Sequence, residues 1–167
     1  ARAAAQDAKA RGADLVVQSE HFILGYPAED LVLKPAAVDR SMAAIHALAR
    51  ETATGPALLI GAPWREGEVL QNSALFLEGG HIRARHDKRE LPNYGVFDEK
   101  RYFSAGHESC VVELNGYRLG LLICEDLWFD GPVDAAKAAG AEVILSINAS
   151  PYNREKPYIR KTLMAGH

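Results

Sequence analysis

Three polar residues that could together cleave a carbon–nitrogen bond each follow an apolar segment of the sequence. Glu20 follows DLVVQS, Cys124 follows RLGLLI, and Lys88 lies three residues after HIRAR. A thiolate is a strong nucleophile, a carboxylate within reach can take the thiol proton, and an ammonium can stabilise the oxyanion formed when a carbonyl is attacked. Together the three side chains would hydrolyse an amide or nitrile through a thioester.

The spacing of these residues does not by itself decide between catalysis and structure. They are 68 and 36 positions apart, so only the fold could bring them together. A cysteine that ends an apolar segment is more often a small buried hydrophobic residue, and a Glu or Lys after a strand is more often a solvated loop residue. Glu125 and Asp126 would also disfavour a thiolate if their carboxylates pointed at Cys124.

Helix and strand patterns along the chain predict an α/β fold that could position these residues. Short apolar runs predict buried strands, and the turn signals Glu78-Gly79-Gly80 and Asn115-Gly116 predict two β-hairpins. We expect helices at 1–11, 35–54 and 133–139, and strands at 13–19, 57–63, 72–77, 81–85, 110–114, 117–123 and 141–148. This order predicts a layered α/β protein with a mixed sheet. Segment 86–106 has no periodicity and several aromatic residues, which indicates a functional loop.

Composition and charge exclude other classes of protein. The 167 residues carry a net charge of −3 and are 48% hydrophobic, which is typical of one globular domain without a nucleic-acid or membrane patch. No apolar run approaches the roughly 20 residues that span a bilayer. With only Cys110 and Cys124, we expect a reduced, cytoplasmic protein. His81 and His86 lack partners at zinc-ligand spacing, so we expect no metal site.

The two ends of the chain predict a piece of a longer protein. The chain opens at Ala1 in a helical pattern, with no Met and no pattern typical of a signal peptide, and it stops within KTLMAGH.

Three long segments of the sequence resemble the nitrilase (carbon–nitrogen hydrolase) superfamily. They are ADLVVQSEHFILGYPAEDLVLKP, HDKRELPNYGVFDEKRYFSAG, and GLLICEDLW followed by ILSINASPYNREK. More narrowly, they resemble the glutaminase domains of glutamine-dependent NAD synthetases. The likeness runs in order along essentially the whole chain. It departs from the usual pattern at Ser19 and His21, where the family has proline and an apolar residue.

The resemblance implies a role for each site residue. Glu20 corresponds to the general base, Lys88 to the oxyanion-stabilising lysine and Cys124 to the nucleophile. Glu99 corresponds to a supporting glutamate, and the backbone N–H of Glu125 to part of the oxyanion hole. The positions that contact the glutamine substrate in this group are Tyr94, Ser150 and Lys156.

The resemblance also implies properties beyond the site. We expect residues 1–167 to be part of a glutaminase domain, a nitrilase-like αββα sandwich that pairs to αββα–αββα in a homo-oligomer. No cofactor is expected for the glutaminase step. ATP and Mg²⁺ are expected only in a synthetase domain of the same chain, which would amidate nicotinic acid adenine dinucleotide to NAD.

Two alternatives remain open from the sequence. One is a stand-alone nitrilase-type amidase that uses the same triad on another small amide or carbamoyl compound. The other is a non-catalytic scaffold that keeps the fold without turnover, which the presence of all three triad residues argues against.

Overall fold

The computed structural model describes residues 1–166, which form two β-sheets and four α-helices. The strands are β1 (Leu15–Val17), β2 (Ala57–Glu66), β3 (Val69–Glu78), β4 (His81–Asp87), β5 (Cys110–Leu114), β6 (Tyr117–Ile123) and β7 (Val143–Ile147), and the helices are α1 (Arg2–Ala10), α2 (Pro35–Glu51), α3 (Asp130–Ala138) and α4 (Lys156–Gly166). The first sheet has the order β1-β2-β3-β4 and the second β5-β6-β7. Each sheet contains parallel and antiparallel pairs, so the predicted mixed topology is confirmed.

The alternation of side chains along the strands produces four layers. Successive residues of a strand point to opposite faces. On β2, Leu58 and Ile60 pack in an outer core with α1 and α2, whereas Leu59 packs in an inner core between the sheets. On β6, Leu122 packs toward α3, whereas Leu121 lies in the inner core. The layers therefore follow the order helix, sheet, sheet, helix, and the predicted αββα arrangement is confirmed. Its pairing in a homo-oligomer stays a prediction.

The strands differ in length from the sequence expectation around Pro63. We expected a strand to end there, but β2 continues to Glu66 and β3 begins at Val69. Within the described chain, β1 is short and pairs only with residues 57–59 of β2. Pro63 therefore pairs with β3 on one side, and on its other side no strand requires a backbone N–H, which proline lacks. Proline tolerates this position in a sheet.

Both predicted hairpins and the long loop are present. Asn115 and Gly116 have φ of 52° and 83°, the left-handed pair that a two-residue hairpin turn requires. Segment 88–109 contains no strand or α-helix, only a 3-10 turn over Glu99–Arg101. Among residues 1–166, no helix is long and apolar enough to cross a membrane.

Candidate active site

The structure brings Glu20 and Lys88 into contact in the protein interior. Glu20 follows β1, and Lys88 follows β4 at the other edge of the same sheet. Lys88 Nζ lies 2.8 Å from Glu20 Oε1 and 2.7 Å from Glu99 Oε1. The three residues are only 1%, 1% and 4% exposed. The ammonium is therefore shared between two buried carboxylates.

A glycine on β2 allows the backbone of Glu20 to lie close to the sheet. A Cβ added to Gly61 would lie 2.6 Å from Glu20 Cα and 2.4 Å from the backbone nitrogen of His21. The N–H of Gly61 donates to the Ser19 carbonyl at 3.2 Å. Because only glycine permits this approach, Gly61 fixes where the Glu20 side chain enters the site.

Cys124 begins a tight turn at the end of β6. Its φ is 46°, a left-handed conformation that costs a non-glycine residue roughly 1–2 kcal/mol. It starts the 3-10 turn Cys124–Trp128 and is 5% exposed. The charges of Glu20, Lys88 and Glu99 all act on its sulfur. A strained conformation of this kind is typical of a nucleophile presented on a sharp turn.

Asp126 connects this turn to the segment that carries Lys88. Its Oδ2 accepts a hydrogen bond from the Ile123 N–H at 3.0 Å and contacts His86 Nε2 at 2.9 Å. Its Oδ1 accepts from the N–H groups of Arg89 and Glu90 at 2.9 and 2.8 Å. The Asp126 carboxylate therefore links the backbone at the end of β6 to the backbone that follows Lys88.

Three further polar groups contact the carboxylates, and sequence analysis missed all of them. Asn72 Nδ2 lies 2.8 Å from Glu20 Oε1, and Tyr26 donates its hydroxyl to Glu99 Oε1 at 2.8 Å. The Ala149 N–H donates to Glu20 Oε2 at 3.1 Å and also hydrogen-bonds to Cys124. Only Asn72 left a signal, since a buried asparagine is unusual inside an apolar strand.

Burial, with the neighbouring carboxylates, keeps the Cys124 sulfur protonated. Burial raises the pKa of the Cys124 thiol to about 12; the charge of Glu20 adds to this, and Lys88 opposes it. For Lys88, burial disfavours the ammonium, but Glu20 and Glu99 together hold its pKa above the usual value. Burial raises the pKa of Glu99 as well, against the opposing charge of Lys88. At neutral pH the resting site therefore holds a thiol beside an ammonium.

Beside Cys124 lies a cavity of about 380 Å³ that contains all three residues expected to contact substrate. The lining residues are Tyr94, Phe97, Cys124, Glu125, Trp128, Phe129, Ser150 and Lys156. The Tyr94 hydroxyl donates to Glu125 Oε1 at 2.9 Å, and Lys156 Nζ lies 5.8 Å from the centre of the Phe97 ring. Arg160, which sequence analysis did not single out, donates to the Ser150 hydroxyl. The cavity thus combines a sulfur with one carboxylate and one ammonium.

The structure offers no set of side chains for a metal ion within residues 1–166. No group of three or more His, Cys, Asp or Glu side chains there could hold one. His86 contacts Asp126 instead, and His81 begins β4 in the hairpin.

A carbon–nitrogen hydrolase fold is also what comparison with known families finds. The carbon-nitrogen hydrolase family matches residues 1–162. The chain belongs to this family.

Within the family, the chain is similar to glutamine-dependent NAD(+) synthetases. It is 44% identical over 155 residues to the synthetase of Xanthomonas campestris, covering 92% of this chain and 28% of that protein. It is also 44% identical over 161 residues to the synthetase of Rhodobacter capsulatus, covering 96% of this chain and 29% of that protein. The chain thus spans less than a third of the length of these relatives.

Solved structures of two kinds share the fold. The glutamine-dependent NAD+ synthetase of Acinetobacter baumannii superposes with a TM-score of 0.88 at 36% identity, covering 97% of this chain and 31% of that one. An amidase from Nesterenkonia superposes with a TM-score of 0.80 at 29% identity, covering 93% of this chain and 59% of that one. Both kinds of enzyme considered from the sequence are thus represented among its structural neighbours.

Proposed function

We propose that these residues form the glutamine amidohydrolase module of a glutamine-dependent NAD(+) synthetase, with Cys124 as nucleophile. The observation that carries the proposal is the cavity beside Cys124, which offers Glu125 and Lys156 as opposite charges. Glutamine carries an α-ammonium and an α-carboxylate besides its side-chain amide, so it needs one partner of each sign. A simple amide needs neither. The similarity to synthetases supports the same choice.

In the first step the thiol proton of Cys124 passes to Glu20 as the sulfur attacks glutamine. Glu20 Oε1 accepts hydrogen bonds from Lys88 and Asn72, so its lone pairs are engaged. In the described chain Oε2 accepts the Ala149 N–H and keeps a lone pair for the proton. Because the resting sulfur is a thiol, proton transfer accompanies its attack on the side-chain carbonyl carbon of glutamine.

The negative charge then moves onto the carbonyl oxygen, where Lys88 and the Glu125 N–H stabilise it. Glu20 returns its proton to the nitrogen, the C–N bond breaks and ammonia leaves a glutamyl thioester on Cys124. Glu20 next takes a proton from water, which attacks the thioester. The C–S bond breaks, the thiol is regenerated and glutamate departs. One glutamine and one water thus give one glutamate and one ammonia.

The ammonia would be consumed by a synthetase domain of the same chain, with ATP and Mg²⁺ bound there rather than to residues 1–167. The share of the relatives' length that this chain spans leaves room for such a domain. A homo-oligomer and a cytoplasmic location remain part of this proposal.

The test is Cys124→Ala in the intact protein. Glutamine-dependent NAD synthesis should be lost because the nucleophile is gone, whereas synthesis from added ammonium chloride should remain near the wild-type rate. Cys110→Ala is the matched control and should retain both activities. Glutamine-dependent synthesis by Cys124→Ala would overturn the assignment of the nucleophile.

The second candidate is an amidase for small uncharged amides, which the likeness to the Nesterenkonia amidase favours. A variant of that enzyme carries acrylamide added to its active-site cysteine. Lys156→Ala separates the two functions. If the protein is a glutaminase, Lys156→Ala removes the ion pair to the α-carboxylate of glutamine, so KM for glutamine should rise about 10- to 100-fold. Hydrolysis of propionamide, which has no α-carboxylate, should be unchanged. Rapid turnover of propionamide and none of glutamine by the wild type would favour the amidase.

A further inference from the structure

We propose that Asn72 is a positioning residue that holds Glu20 and Glu99 aligned through its side-chain amide. This inference rests on the proposed function for its kinetic readout. Asn72 is fully buried in the middle of β3. It is not among the residues that the sequence pattern assigns to catalysis or substrate contact.

One amide group reaches both carboxylates. Asn72 Nδ2 lies 2.8 Å from Glu20 Oε1 and 3.4 Å from Glu99 Oε2. An amide nitrogen has two N–H donors, so one can serve each carboxylate. Asn72 Oδ1 has no partner in the described chain. The opposite orientation of the amide would place that oxygen against two negative charges, so the carboxylates determine which way the amide faces.

Asn72 also contacts the third member of the cluster through its backbone. The backbone N–H of Lys88, the residue whose side chain carries the ammonium, donates to the backbone carbonyl of Asn72 at 2.8 Å. A single residue thus binds Lys88 by its main chain and the two carboxylates by its side chain. Lys88 supplies one positive charge to two negative ones, and Asn72 adds a hydrogen-bond donor to each carboxylate without adding charge.

These donors matter for the proton-accepting oxygen. Together with Lys88, Asn72 engages Glu20 Oε1 and leaves Oε2 to the Ala149 N–H. Donors to a buried carboxylate also favour its charged form. The other titratable groups around the pair are Lys88, Cys124, Tyr26 and His21. Loss of the Asn72 donors should therefore change how the activity depends on pH.

The first test is Asn72→Leu, which is similar in size and cannot donate. The value of kcat/KM for glutamine should fall about 10- to 100-fold, the range carried by hydrogen bonds to charged groups. The acidic limb of its pH profile should move upward by about one pH unit. Asn72→Asp, which has the same shape but carries acceptors, should move the limb in the same direction. Ser73→Ala is the matched control, because Ser73 is buried on the same strand and its hydroxyl bonds Asp87. Its acidic limb should stay in place.

A second readout does not need glutamine. Peptide mass spectrometry measures the rate at which iodoacetamide alkylates Cys124. As the pH is lowered, this rate should begin to fall at a higher pH in both Asn72 variants than in the wild type. Circular dichroism identifies variants that fold. An unchanged acidic limb and an unchanged alkylation profile in a folded Asn72→Leu or Asn72→Asp protein would reduce Asn72 to a packing residue. A wild type that does not hydrolyse glutamine would refute the proposed function, while the alkylation profiles would still decide the role of Asn72.

Discussion

At the scale of single residues, the site is defined by charges held away from water. Two carboxylates face one ammonium, and a thiol lies beside them. Each group changes the cost of ionising its neighbours, because burial weakens the screening that water provides. His21, one of the departures from the family pattern, is a further buried group of this kind, and it gives a prediction that is independent of catalysis.

His21 should make the protein less stable in mild acid. Burial, and secondarily the charge of Lys88, lower its pKa from 6.5 to about 3, and neither ring nitrogen has a partner in the described chain. The unfolded chain therefore binds a proton below pH 6.5 that the folded protein refuses, so stability falls as the pH drops from 6.5 toward about 3. His21→Leu should remove this loss. The difference in the free energy of unfolding between His21→Leu and the wild type should therefore be about 2 kcal/mol larger at pH ~5 than at pH ~7, in favour of the variant. Urea denaturation at the two pH values measures it.

The exposed His107 provides the control for this experiment. His107→Gln also removes a histidine, but one whose side chain is exposed, and it is denatured with urea at the same two pH values for comparison. If His21→Leu follows the wild-type curve through this range, His21 is protonated in the folded protein.

At the scale of elements, β2 controls the position of Glu20 through Gly61. Gly61→Ala would place a Cβ against the backbone of Glu20 and His21, which cannot move aside as a flexible side chain can. We expect kcat/KM for glutamine to fall about 100-fold, since a displacement near 1 Å of a catalytic group costs that much. Gly131→Ala in α3 meets open space and should leave activity unchanged and stability equal or slightly higher. Full activity of Gly61→Ala would show that the loop carrying Glu20 adapts.

The same elements show how far sequence reasoning reaches. The hairpin at Asn115-Gly116 follows from local chemistry, and so do the strand ends at which Glu20, Lys88 and Cys124 lie. The contacts of Asp126 do not, because its partners lie 36 and 37 residues earlier and depend on how the two sheets pack. The prediction that a strand ends at Pro63 was wrong for a related reason. Whether a strand can continue through a proline depends on where the neighbouring strand stops.

At the scale of the whole molecule, the site lies on the seam between the two sheets. Glu20, Asn72 and Lys88 come from the four-stranded sheet, whereas Cys124 and Ala149 follow strands of the three-stranded one. The inner core that separates the sheets includes Cys124 itself. Packing in this layer therefore sets the distance between Glu20 and Cys124, which a sequence pattern in either sheet alone does not contain.

Truncation of the inner core should affect activity more than an equal loss in the outer core. Phe76 packs between the sheets, whereas its neighbour Leu77 packs against the helices, and both are 1% exposed. Phe76→Ala and Leu77→Ala should each lower the free energy of unfolding by about 3–5 kcal/mol. Assayed at a temperature where both variants are folded, Phe76→Ala should lose kcat and Leu77→Ala should keep most of it. Equal kcat values would mean that the seam does not depend on the inner core.

The protonated state of Cys124 has a consequence outside the reaction. Hydrogen peroxide oxidises thiolates, and a sulfur whose pKa is raised to about 12 is almost entirely thiol at neutral pH. We therefore expect slow oxidation of Cys124 to the sulfenic acid, in contrast to cysteines that rest as an anion. Burial and the neighbouring carboxylate of Glu20, which raise the pKa of the thiol, should thus also slow oxidation of Cys124.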